Sequence, residues 1–326
     1  MATPKKKTGL MTRYLLLVLK LSVSSTLFYL LISKVGGRTI LNNLKMLDPA
    51  AFIAAVCIYL TAASISSLRW GLLIPQPVGK MRLFSMFMIG SFFNAYMPGI
   101  VGGDAVKAYY LGRQLKRSDS PNGGAGHNVV AIASVFMDRY IGLSALLCIG
   151  TIALPFGMGY LEGASLKWPV KWIIPSVVVF YVSATLMLFK FRLGNRFEFL
   201  SSAYEYLNFY ASRKYTLLKA FLYSLLIQMT GILSVYVLSQ GLSLNIPFMS
   251  VLIFLPIIVL FSVLPVTISG IGLREGAFVF LFGTIGVPAD MAMSLSILWF
   301  LSVVAAGLLG LFYYLRFKDT FGGKIE

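Results

Sequence analysis

Two stretches of this chain set charged residues beside proline and glycine inside apolar sequence. The first reads Asn94-Ala-Tyr-Met-Pro98-Gly99-Ile-Val-Gly102-Gly103-Asp104-Ala-Val-Lys107. Pro98 ends a helix, and the glycines let the backbone turn sharply. Asp104 then stands where a new half-helix begins, with Lys107 one turn further in. Exposed N–H groups at a helix start attract anions, so a lipid phosphate suits the place. Asp104 also has a plainer reading as an N-cap, and one residue can serve both ends.

The second stretch is Leu264-Pro265-Val-Thr-Ile-Ser269-Gly270-Ile-Gly272-Leu-Arg274-Glu275-Gly276. It repeats the logic of proline break, glycine turn and acid at a half-helix start. A charge at the bilayer centre costs roughly 2.5–3.5 kcal/mol. Arg274 and Glu275 therefore need a partner or a hydrated pocket, and a structural ion pair holding the turn is the alternative to a binding role.

A third pair, Asp138-Arg139, is embedded in the apolar run Val129–Leu154. Sequence neighbours on a helix do not face each other. The expected partners are Arg274 for Asp138, and Asp104 or Glu275 for Arg139. Arginine suits bidentate recognition of phosphate or carboxylate; a locking salt bridge is the competing reading.

The elements that position these groups must lie in a membrane. The 326 residues are 58% hydrophobic and 12% charged, with mean hydropathy +0.83. Soluble domains carry about 25% charged residues. Soluble enzymes and nucleic-acid binders are thereby excluded. The net charge of +17 instead fits basic cytoplasmic loops and anionic headgroups. Cys57 and Cys148 sit in apolar runs and read as small buried residues, with no disulfide framework and no metal-ligand spacing. His127 follows a Gly-rich loop and reads as solvated. No metal and no cofactor are expected.

Runs long enough to span, at about 20 residues each, are Tyr14–Ile32, Ala50–Ile74, Val129–Leu154, Trp172–Phe191, Tyr215–Leu238 and Asp290–Leu315. Lys20, near the inner end of the first run, is expected to snorkel. Two more stretches, Leu83–Met97 and Pro247–Phe282, are broken by proline and glycine. With both termini cytoplasmic and each broken stretch entering and leaving on one side, 20 basic residues fall inside and five outside. That count, which places Arg69 and Lys107 among the inner residues, obeys the positive-inside rule. The expected fold is an all-α polytopic membrane protein of about six transmembrane helices plus two oppositely oriented re-entrant hairpins. It forms a single integral membrane domain over 1–326, an inverted repeat with halves at about 14–154 and 172–316. The segment Asn195–Tyr210 is expected along the inner interface, and Arg117–His127 as a polar loop.

The Asn94-to-Asp104 segment, the Asp138-Arg139 helix and the Gly-x-Gly-x-Arg-Glu run of Pro265–Glu275 together resemble the lysylphosphatidylglycerol synthase transmembrane-region family, also called the flippase-like domain family. The resemblance covers about Tyr14 to Leu315. Many relatives carry Glu-Arg where this chain has Asp138-Arg139, a shorter acid. The best-known member joins a membrane flippase to a soluble aminoacyl-transferase domain. This sequence ends at Glu326 without that second part, so lysyl transfer is not implied. Stand-alone relatives are thought to move lipids or lipid-linked intermediates across the cell membrane.

The leading expectation is a lipid flippase in the cell membrane. An anionic phospholipid or polyprenyl-phosphate lipid would be held by Arg139, Arg274, Lys107 and the glycine amides. Asp104, Asp138 and Glu275 would neutralise the arginines in the empty site, carry a coupling proton or meet a cationic headgroup. Two other classes use the same residues. One is an accessory scaffold for an envelope synthase, recruited through the basic loops, as a homo-oligomer or with that partner. The other is an intramembrane enzyme built on Asp104 and Asp138, disfavoured because Val101 replaces the first glycine of the Gly-x-Gly-Asp form such enzymes use. The chain is expected not to be an enzyme.

Overall fold

The computed structural model describes residues 22–33, 36–96, 102–118, 126–162, 169–190, 210, 213–263, 267 and 270–321. Among the described residues the regular structure is all helix. The helices are α1 (Ser22–Ser33), α2 (Gly37–Lys45), α3 (Pro49–Leu72), α4 (Lys80–Tyr96), α5 (Gly102–Ser118), α6 (Gly126–Glu162), α7 (Pro169–Lys190), α8 (Lys214–Gly241), α9 (Phe248–Val263), α10 (Leu273–Gly283) and α11 (Ala289–Phe321).

Hydrocarbon offers the backbone no hydrogen bonds, so apolar runs of this length close their own as helices. Four helices are long and apolar enough to cross a membrane: α3, α6 over His127–Gly157, α8, and α11 over Ala289–Arg316. They make the chain a multi-pass membrane protein. Of the six expected spans, Tyr14–Ile32 lies partly outside the described residues. The described apolar part of α7 is Trp172–Ser183, which is shorter than a span. Lys20 and Asn195–Asn208 also lie outside them, as does most of the Arg117–His127 loop. Tyr210, at the end of the expected interfacial segment, is buried.

Local chemistry sets the helix ends. Pro49 opens α3, and the Asp48 carboxylate accepts from the Ala50 N–H at 3.0 Å, a capping role that fits proline at the first helical position. Helices α3 and α8 pack on each other, with Gly241 close against Ala51 and Ser224 accepting from Arg69, and both carry small buried residues such as Ala55, Ala63, Ala220 and Ser234. Small side chains let backbones approach where apolar lipid gives helices no reason to associate otherwise.

The helix ends gather in two layers. In one layer the Asp48 N–H donates to the Gly241 carbonyl at 3.1 Å, Asn43 Nδ2 donates to Asp290 Oδ2 at 2.9 Å, and the Thr284 hydroxyl donates to the Tyr160 carbonyl at 2.9 Å. A continuous apolar cluster fills this layer, from Ala55 and Ile149 through Val251, Phe254, Phe282 and Leu295. The opposite layer holds two smaller clusters, one around Trp70, Leu83, Leu115 and Ala131 and one around Leu73, Ala133, Tyr210 and Ala220. Leu83 near the start of α4 and Leu115 near the end of α5 share a cluster. Phe254 on α9 and Phe282 at the end of α10 meet edge to face at 5.3 Å in the other layer. Helix α4 packs against α5 and α11, while α9 packs against α10 and α6.

Five residues depart from expectation. Cys57 is exposed and Cys148 only partly buried, because the lipid-facing side of a membrane helix is as apolar as its core. His127 is buried in the first turn of α6 rather than solvated in a loop. Arg69 and Lys107, counted with the inner loops, are buried within the bundle. Removing both from the inner tally leaves the sign of the charge bias unchanged.

Candidate functional site

Glycine and one polar side chain shape the start of both α5 and α10. At the start of α5, Asn94 Oδ1 accepts from the Gly103 N–H at 3.0 Å. A Cβ at Gly103 would land on the Gly90 carbonyl oxygen, so only glycine lets α4 and α5 approach this closely. Pro98, in the link between them, lies outside the described residues. At the start of α10, Gly270 and Gly272 take φ of 76° and 88°, the left-handed region that glycine enters freely. Glu275 Oε2 accepts from the Gly272 N–H at 2.6 Å, half of a capping box. Pro265 and Ser269 lie outside the described residues. The Gly103 and Gly272 amides, expected to bind an anion, are therefore already engaged by Asn94 and Glu275.

The charged residues form two networks. In the first, Arg139 Nε donates to Asp104 Oδ2 at 2.7 Å, as expected. Lys107 Nζ stands 3.0 Å from Asp104 Oδ1 and 4.0 Å from Asp138 Oδ2. Asp138 does not meet Arg274. Its Oδ1 accepts from Arg69 Nε at 2.9 Å, with Arg69 Nη2 at 2.8 Å. Arg69 Nη1 also donates to the Ser224 hydroxyl at 2.8 Å. The chain Arg139–Asp104–Lys107–Asp138–Arg69–Ser224 thus ties α6, α5, α3 and α8 together. The Lys107 ammonium lies 4.9 Å from the Phe87 ring centre and 5.6 Å from that of Trp70, a cation–π setting that suits a desolvated cation.

The second network is local. Arg274 pairs with its neighbour Glu275 through Nη2 and through Nε at 3.1 Å. Neighbours can meet here because both stand in the first turn of α10, where Glu275 folds back on Gly272. Arg274 Nε also reaches the Ser296 hydroxyl at 3.3 Å, and its guanidinium lies 4.5 Å from the Phe300 ring.

A cavity of about 510 Å³ joins the two networks. Of the residues expected at the site, Asn94, Lys107, Asp138, Arg139 and Arg274 line it. Asp104 and Glu275 stand behind that lining, paired with Lys107, Arg139 and Arg274, and Gly102, Gly103, Gly270 and Gly272 are not among the lining residues. Helices α3, α4, α5, α6, α8, α9, α10 and α11 all contribute to its wall. Arg69 is the fourth cation in the wall and was not expected there. Gln228 also lines it and donates to the Gly142 carbonyl at 3.1 Å. The remainder is largely apolar, with Leu143, Leu146, Ile227, Val259 and Trp299 among its residues. Arg139 and Val263 form an open rim, with the Arg139 side chain 55% and Val263 52% exposed.

The cavity can therefore hold a compact anionic group among four cations, with apolar surface for the carbon next to it. Its volume falls within the roughly 300–1,000 Å³ of small-molecule sites. That admits a headgroup but not a whole lipid with its chains. Among the described residues no group of three or more His, Cys, Asp or Glu side chains is placed to hold a metal ion.

The model of the lysylphosphatidylglycerol synthase TM region matches residues 17–310, and the chain belongs to that family. It is 23% identical over 304 residues to a UPF0104 membrane protein of Methanocaldococcus jannaschii, covering 85% of this chain and 88% of the relative. It is 29% identical over 165 residues to a UPF0104 membrane protein of Methanothermobacter thermautotrophicus. The latter match covers 48% of this chain and spans less than half, 44%, of the relative.

Proposed function

We propose that this member of the lysylphosphatidylglycerol synthase TM region family moves an anionic lipid between bilayer leaflets by alternating access. The observation that carries the reading is a cavity in which Arg69, Lys107, Arg139 and Arg274 converge from four different helices onto one partly apolar space. The headgroup enters past Arg139 and Val263, and the chains remain in the bilayer. Asp104, Asp138 and Glu275 hold the cations in the empty site and are available to carry a coupling proton.

In this reading α4–α5 and α9–α10 are re-entrant hairpins of opposite sense within an inverted repeat. Two arrangements support it. Each hairpin begins and ends in one layer, and the layers differ. The packing also corresponds between halves: across them, α4 lies on α11 as α9 lies on α6, and within them, α5 lies on α6 as α10 lies on α11. All four pairs related in this way, α3/α8, α4/α9, α5/α10 and α6/α11, line the cavity, where inverted-repeat transporters hold substrate. In this reading, which the basic bias supports, both termini and the layer of Trp70 and Leu83 face the cytoplasm across a cell membrane. The continuous apolar cluster on the opposite side then closes the site outward.

The test is reconstitution of the purified chain in liposomes, following fluorescent anionic phospholipid and polyprenyl phosphate between leaflets. Headgroup-selective movement that Arg139→Ala and Arg274→Ala abolish, in folded protein, is the expected result. No movement of any lipid, with or without a proton gradient, would favour the scaffold reading.

A further inference from the structure

Charge parity in the cavity goes further than the sign of the ligand. Among the described residues, the cavity wall and the groups directly behind it hold four cations, Arg69, Lys107, Arg139 and Arg274, and three carboxylates, Asp104, Asp138 and Glu275. Glu275 is saturated locally: one oxygen takes Arg274, the other the Gly272 N–H. Asp138 is shared by Arg69 and Lys107, and Asp104 by Lys107 and Arg139. Three cations thus divide two carboxylates, leaving one positive charge unmatched.

That excess is not spread evenly. Arg69 and Lys107 are buried, and each has at least two polar or aromatic partners. Arg139 is the exposed member. It donates through Nε alone, and neither terminal nitrogen has a hydrogen-bond partner in the structure. A guanidinium in a cavity wall that is held at Nε keeps its two terminal nitrogens available as a fork for two oxygens of one anion.

We infer that the cavity is built for a ligand carrying one negative charge, a phosphodiester, and discriminates against phosphomonoesters and diphosphates. The inference rests on the anionic-lipid reading above. A phosphodiester has two unesterified oxygens, one charge and no second ionisation near neutral pH. Bound at Arg139 it brings the site to neutrality. A phosphomonoester loses its second proton near pH 6. Above that pH it brings two charges, and the second meets no free cation in a partly desolvated site, where an uncompensated charge is costly. Glycerophosphodiester lipids and glycosyl phosphodiesters of polyprenols fit this count; free polyprenyl phosphate and polyprenyl diphosphate do not.

The experiment measures binding and movement separately on the full chain. Tryptophan fluorescence, with Trp299 in the cavity wall, reads binding of dihexanoyl phosphatidylglycerol and dihexanoyl phosphatidate in detergent at about pH 5.5 and about pH 8.5. The titratable residues of the wall are Tyr59, Lys107 and Asp138 beside the three arginines, with Asp104 and Glu275 directly behind; the diester, whose own charge is the same at both pH values, reports any change in these groups, and the monoester is read relative to it. The diester should bind equally at both pH values. The monoester should match it at the lower pH and bind about tenfold or more weakly at the higher, a difference of about 1.4 kcal/mol. Equal binding of the two at high pH, or tighter binding of the monoester, would overturn the inference. Asp104→Asn adds one unmatched positive charge, and a folded variant should narrow or reverse the preference; an unchanged preference counts against the charge count. Should Asp104→Asn fail to fold, the two-lipid comparison on the unaltered chain stands by itself.

Glycerophosphoglycerol, the diester without chains, separates the sources of the ligand. Binding as tight as that of the lipid would support the charge rule while contradicting a lipid substrate. Leaflet movement of both lipids at equal rate, with equal binding, would leave the transport reading standing and remove this one.

Discussion

Arg69 and Asp138, on different helices and 69 positions apart, form a buried ion pair at 2.8 Å. Breaking such a pair leaves a charge stranded among apolar groups, whereas replacing both members with apolar residues of similar size is often tolerated. Arg69→Met or Asp138→Leu alone should each cost about 3–5 kcal/mol and lower the unfolding temperature of the solubilised protein. The double substitution should recover most of that loss without restoring lipid movement. Thermal unfolding beside a leaflet assay separates the two effects.

The turn glycines make a second prediction. Gly272 combines φ of 88° with a Cβ direction aimed at Leu27 on α1, so Gly272→Ala should be destabilising by more than about 1 kcal/mol. Gly276, one turn along α10, has nothing near its Cβ direction and no positive φ. Gly276→Ala should be neutral or slightly stabilising. Equal effects at both positions in a melting experiment would contradict the turn geometry.

Asn94 gives a third. Its side chain occupies the Gly103 N–H, a capping contact whose loss costs roughly 0.5–2 kcal/mol. Asn94→Ala should destabilise by about that amount. Asn94→Asp should keep the cap but lower the net charge of the site by one, so it should preserve the unfolding temperature while weakening anionic-lipid binding.

Some of this was legible in the sequence. An arginine inside an apolar helix has to find its partner on another element; Asp104 and Glu275 were the expected acids for Arg139, and Asp104 is the one it meets. Asn94, Lys107, Asp138, Arg139 and Arg274 do meet at one cavity. Arg69 was missed because an arginine in the last turn of an apolar helix reads as one that reaches the interface. Here Trp70 packs on Ser134 and Gly142 leaves room for the guanidinium, which turns the side chain inward. The glycine amides were misread for a related reason: sequence marks a helix start but not the side chain that already caps it. Cys57 was misjudged because hydropathy does not distinguish a face turned to lipid from one turned to protein.

Sidedness is a fourth prediction. Reporters fused within residues 119–125 and after Arg316 should both report the cytoplasm. A reporter at Gly36, between α1 and α2, should report the opposite side. Any two of these found on the wrong sides would break the assignment of the Trp70 layer to the cytoplasm.

The most direct measurement is the leaflet assay on the reconstituted chain, comparing the unaltered protein with Arg139→Ala after both are shown to be folded. The account predicts rapid, headgroup-selective movement of an anionic phosphodiester lipid that the substitution reduces to the rate of protein-free liposomes. Movement that is equal in the two proteins would contradict a transport role for the cavity.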